Sequence, residues 1–223
     1  MIFLLKIYAI FIMIEILRKK ISGEEFDYQT LMDCLAGYSS PRDKVTQLLK
    51  KGIIIRVKKG LYVFGEAYRR RPYSRELLAN LIYGPSYISL EYALQFYGLI
   101  PERVEAVTSV TTGRSRRFSI SVGLFTYRCI SLEAFGTGMD RIELNNGPAF
   151  LIATAEKALA DKCISNRGIA INTQRKMINY LENNLRVDMT QLLKLKVEAL
   201  EDIARRYRSR KITLLSELIK KKS

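Results

Sequence analysis

The chain has 223 residues, 48% hydrophobic and 26% charged, values that suit a folded protein able to bury a core and exclude a disordered one. Lys and Arg number 37 against 22 Asp and Glu, a net charge of +15 whose field concentrates polyanions and makes nucleic acid the leading partner class. The absence of histidine excludes histidine-based triads, imidazole general bases and the HExxH zinc site.

The first fourteen residues, Met1 to Ile14, are apolar except for Lys6. That run is shorter than the roughly 20 residues a bilayer span needs, and no small-residue cleavage site follows it before Arg18. The preferred reading takes Met13 as the start of the protein proper, because a helical pattern sets in there. A first helix is predicted over Ile14 to Ile21, with Ile14, Ile16, Leu17 and Ile21 closing one face and Gly23 ending it. A second is capped by Asp27, carries Leu31 and Leu35 with Cys34 beside them, and stops at Gly37. Ser40, Pro41 and Asp43 announce a third helix that runs to Lys51, with Gly52 just past its end.

From Ile53 the period changes. The runs Ile53 to Val57 and Leu61 to Phe64, joined by Lys58-Lys59-Gly60, predict a hairpin with a basic tip. Three helices followed by such a hairpin is the order of a winged helix-turn-helix, predicted over residues 13–68. In its third helix Val45, Leu48 and Leu49 must face the core, which leaves Arg42, Lys44, Thr46, Gln47 and Lys50 outward. Arg42 and Gln47 are side chains able to read base edges. Lys44, Lys50 and Lys51, with Lys58 and Lys59 at the hairpin tip, suit phosphates. The competing reading is a solvated basic face on a module that binds protein.

Residues Tyr68 to Pro72 are read as a linker, and a second domain is predicted over 73–223. It is expected to be mixed α+β: helices over Ser74 to Tyr83 and Leu90 to Tyr97, a small antiparallel sheet between Val104 and Ile130, a further strand at Phe150 to Ala153, and a helix capped by Thr154. From Asn172 onward the period is helical, with breaks near Asp188 and Arg210. The charge of +15 divides into +7 up to Pro72, from fourteen basic and seven acidic residues, and +8 beyond. Arg114, Arg116 and Arg117 fall in a stretch from Ala106 to Leu132 without a single acid, and suit either a phosphate-binding surface or a solubilising hairpin tip.

Cys34, Cys129 and Cys163 are far apart without CxxC spacing, so reduced thiols in a cytoplasmic protein are expected, with neither a zinc ribbon nor a disulfide framework. For nuclease-like metal chemistry the local candidates are Asp140, Glu143, Glu156 and Lys157, but the D…ExK spacing is missing. Asp161, one turn after Lys157, is expected to form a surface ion pair with it. No catalytic residue, metal or cofactor is assigned. A metal-dependent nucleic-acid-processing enzyme with a winged-helix targeting domain stands as the alternative function.

Several blocks resemble the AbiEi family of antitoxins from type IV toxin-antitoxin, or abortive infection, systems. They are Gly52 to Val63, Tyr87 to Leu94, Tyr97 to Glu102, Val107 to Thr112, Phe125 to Arg128, Ala153 to Asp161 and Asn184 to Asp188, in the family's order. Ala155 stands where the family pattern has a proline, a change tolerated in the first turn of a helix. The resemblance implies an N-terminal winged helix that represses its own operon by binding duplex operator DNA. It also implies a C-terminal domain that opposes a nucleotidyltransferase toxin without a stable complex. With the N-terminal apolar run too short to span a bilayer, no membrane association is expected. On the C-terminal domain, Arg114, Arg116 and Arg117 are the expected antitoxicity surface.

Overall fold

The computed structural model describes residues 2–144 and 148–222, which divide into two compact units, residues 1–74 and 75–223. The protein is α+β, with antiparallel sheet and a helical C-terminal part.

In the N-terminal unit, helix α1 spans Ile2–Lys20, so the helical run begins well before Met13, the expected start. Its packed face is Met13, Leu17 and Ile21, spaced at i, i+4 and i+8; Ile14 and Ile16 are only partly buried. Among the described residues no helix is long and apolar enough to cross a membrane. Strand β1 (Glu25–Asp27) leads into α2 (Tyr28–Cys34), whose N-cap is Asp27: its carboxylate accepts the Thr30 backbone N–H at 2.7 Å. Helix α3 (Pro41–Lys50) starts at the proline and ends where Gly52 takes φ +66°, a conformation that glycine adopts without a Cβ penalty.

Strands β2 (Ile54–Lys58) and β3 (Leu61–Phe64) form the expected hairpin, with a register shift between Arg56 and Lys58. The unexpected β1 pairs antiparallel with β3, giving a three-stranded sheet in the order β1-β3-β2. Leu17, Leu31, Leu35, Val45, Leu48, Ile54 and Phe64 meet in one apolar core. Gly65 is required by close approach: a Cβ there would lie 1.9 Å from the carbonyl oxygen of Gly52.

The segment read as a linker is tied to this unit. Arg18, 6% exposed, donates to Glu24 at 2.7 Å and to the Tyr68 carbonyl at 2.8 Å, and its guanidinium lies 3.5 Å from the centre of the Phe64 ring. The other Glu24 oxygen accepts the Arg70 N–H at 3.1 Å, so residues 68–70 continue the fold of the unit.

The C-terminal unit is built on a six-stranded sheet. Helix α4 (Arg75–Ile82) precedes β4 (Ser86–Ile88), α5 (Leu90–Phe96), β5 (Val107–Thr111), β6 (Arg116–Ile120) and β7 (Gly123–Cys129). Short α6 (Leu132–Phe135), β8 (Met139–Glu143) and β9 (Ala149–Ala153) follow. The strand order is β6-β7-β5-β4-β9-β8. The antiparallel ladders β4/β5, β6/β7 and β8/β9 are joined by two parallel ones, β5/β7 and β4/β9, so the sheet is larger than expected and mixed. The parallel β5/β7 pair arises because the chain leaves β5, skips a strand width to lay down β6, and returns as β7 between them.

Thr154 caps α7 (Ala155–Ser165), its hydroxyl accepting the Lys157 N–H at 3.3 Å. Helices α8 (Gln174–Asn179), α9 (Met189–Leu192), α10 (Val197–Tyr207) and α11 (Arg210–Lys222) complete the chain. The break at Asp188 is the cap of α9, and that near Arg210 follows Arg208, the left-handed C-cap of α10.

Candidate nucleic-acid interface

The outer face of α3 follows from its core face. With Val45 and Leu48 buried and Leu49 half-buried, Arg42, Thr46, Gln47 and Lys50 are exposed and Lys44 is half-exposed; Lys51, the C-cap, is exposed too. The Thr46 hydroxyl donates to the Arg42 carbonyl at 3.2 Å. Lys44 is drawn sideways, its ammonium 5.2 Å from the centre of the Tyr38 ring. Lys58 and Lys59 are exposed at the hairpin tip. Among the described residues Arg42, Lys44, Lys50, Lys51 and Lys59 form no ion pair.

Arg56 belongs with these groups and was missed from sequence. It is exposed on β2 with its guanidinium 5.9 Å from the Tyr62 ring centre. The signal that could have found it is strand alternation: Val57 is buried, so its neighbours Arg56 and Lys58 point to the other side.

In the C-terminal unit Arg114 lies in the turn before β6, and Arg116 and Arg117 lie on β6 at the edge of the sheet; all three are exposed. Arg116 and Arg117 border an open trough of about 980 Å³ that also draws on Arg103, Arg128, Lys162 and Arg167. Arg114 does not line it.

The carboxylates considered for metal chemistry divide. Asp140 on β8 and Glu156 on α7 line a second cleft of about 460 Å³ with Asp202, whereas Glu143 is exposed and paired with Arg141. Glu156 is 9% exposed and accepts the Lys196 N–H at 3.0 Å at the start of α10, so it is partly committed to holding that helix. Burial, with the Asp140 and Glu156 charges adding to it, pushes the nearby Tyr97 hydroxyl up to about 12. Among the described residues no three His, Cys, Asp or Glu side chains are grouped to hold a metal ion.

Lys157 and Asp161 are not at the surface. Both are fully buried and paired to each other, because this face of α7 packs against α5 and α10 rather than facing solvent. Asp161 also accepts from Ser89 Oγ at 2.6 Å and from the Tyr207 hydroxyl, and Lys157 Nζ donates to that hydroxyl at 2.9 Å. Burial pulls the Lys157 ammonium below its ordinary value, and the Asp161 carboxylate opposes that shift. Every member of this network is hydrogen-bonded within it, which makes it a structural tie between α5, α7 and α10. The thiols of Cys34 and Cys163 are buried and that of Cys129 is exposed; all three are free.

No protein-family model matches the chain, and no curated protein matches it either.

Proposed function

We propose that the chain is a DNA-binding autorepressor and antitoxin of the type IV class, with a winged helix over residues 13–68 as its DNA-binding module. The observation that carries the reading is the pairing, in one small unit, of an outward helix face bearing Arg42, Gln47 and Lys50 with a hairpin tip bearing Lys58 and Lys59. The order α1-β1-α2-α3-β2-β3, with β1 completing the sheet, supports that reading, in which α3 is the element that would enter the major groove. Arg42 and Gln47 supply planar donor and acceptor sets for base edges, and the lysines supply point charges for phosphates. Opposition to a nucleotidyltransferase toxin is assigned to the C-terminal unit on the family resemblance and on its exposed arginines.

The test pairs two readouts in cells: repression of a reporter fused to the chain's own upstream region, and survival when the neighbouring toxin is expressed. R42A/Q47A should lose repression and keep protection. Loss of both in a protein that still folds would refute the division of labour.

A further inference from the structure

We infer that the trough on the C-terminal unit is a binding site for single-stranded nucleic acid, independent of the duplex-binding role proposed for the N-terminal unit. The sheet explains why a trough exists. On the face carrying Thr108 and Thr126, helix α5 is held over β5 by the Tyr92 N–H, which donates to Thr108 Oγ1 at 3.0 Å. Strands β7 and β6 extend beyond that cover to the edge of the sheet, so the helix and the outer strands enclose a channel open on one side.

The strand register then sets its charge. Arg117 is directly opposite Thr126, and Arg128 lies two residues further along β7, so all three share the face that floors the channel. Arg167, just past the end of α7, lines the same trough, and Arg116 borders it. The turn leading into β6 is fixed to β7 by Ser115 Oγ, which accepts the Cys129 N–H at 3.0 Å.

The acids of the channel are already neutralised. Glu91 pairs with Lys162, and Glu105 with Arg103 at 2.8 Å. Among the described residues Arg116, Arg117, Arg128 and Arg167 form no ion pair and are all exposed. What remains is a set of unpaired guanidinium groups, those of Arg117, Arg128 and Arg167, in a concavity that also carries Thr126 and Ser115 hydroxyls.

A duplex is convex and meets a channel of this kind only at its rim. A single strand can lay its phosphates along the arginines and turn its bases to the hydroxyls and guanidinium planes. The unpaired charge argues against a small neutral ligand, and the presence of several guanidinium groups in one trough argues for several phosphates over a single one.

The experiment titrates the full-length protein into a labelled mixed-sequence RNA of about twelve nucleotides, the DNA of the same sequence, and its random-sequence duplex, following fluorescence anisotropy. The triple variant R117S/R128S/R167S, checked by circular dichroism, should bind either single strand about tenfold or more weakly. Its salt slope should flatten by about 0.7 for each phosphate no longer neutralised, about 2 in all. Duplex binding should be unchanged in that variant and should fall instead in K58A/K59A, which separates this site from the proposed DNA-binding face. Equal single-strand affinity and slope in the triple variant would overturn the inference. So would displacement of the RNA by poly-glutamate as readily as by unlabelled RNA.

Discussion

Lys157 and Asp161 stand one turn apart on α7, fully buried and paired to each other, and the Tyr207 hydroxyl of α10 donates to the same carboxylate. A buried charge left without its partner is far costlier than the pair itself. Asp161→Ala should therefore destabilise the C-terminal unit by about 3 to 5 kcal/mol in urea denaturation, and Tyr207→Phe by about 1 to 3 kcal/mol. The double change K157M/D161L should recover much of the stability. A D161A protein as stable as the parent would mean that the pair is solvated.

The N-terminal unit makes a parallel prediction at Arg18. Its guanidinium bonds Glu24 and the Tyr68 carbonyl and lies against Phe64, a geometry that the single ammonium of lysine cannot reproduce. Arg18→Lys should lower the unfolding midpoint of this unit and expose residues 68–70 to proteolysis. Unchanged cleavage around Arg69 would show that the segment is held by something else.

Asp27 gives a pH dependence. Hydrogen bonds from Thr30, backbone first, hold its carboxyl below the usual aspartate range. With the folded value below the unfolded one of about 3.9, the cap contributes fully above that pH and its contribution fades as pH falls through the lowered value. Asp27→Ala should cost about 1 kcal/mol at neutral pH, while Asp27→Asn should keep most of the stability and lose this part of the acid dependence. Stability curves from pH 7 down to about 2, superimposable for the parent and D27N, would contradict the assignment.

The parts of this architecture legible in the sequence are those set by neighbours along the chain. The Asp27 cap, the Pro41 start and the positive φ at Gly52 depend on residues within one helical turn, and the hairpin tip at Lys58 and Lys59 on its own turn chemistry. Strand β1 was not legible because Glu25-Phe26-Asp27 offers one apolar residue and is held only by pairing with distant β3. Strand β8 sits at a sheet edge with most of its side chains exposed, so it lacks the alternation that marks a half-buried strand. An i, i+4 Lys-Asp pair reads identically on a wet or a dry helix face, which is why the sequence alone puts Lys157 and Asp161 at the surface. Arg117 and Arg128 come together only through the β6/β7 register, and Arg167 only through the packing of α7.

The hairpin lysines should contribute affinity without sequence choice, since an ammonium is a point charge that meets phosphate and not a base pattern. K58A/K59A should weaken operator and random duplex alike and flatten the salt slope by about 0.9 for each phosphate no longer neutralised. An unchanged slope would remove the hairpin from the interface.

Reading of duplex DNA by α3, as proposed, is tested most directly by the affinity of the full chain for its own upstream sequence against random duplex at one salt concentration. The parent protein should prefer the upstream site, and R42A/Q47A should reduce that preference, each bidentate pairing with a base edge being worth about 1 to 3 kcal/mol. Equal affinity of the parent protein for the two duplexes would contradict the account.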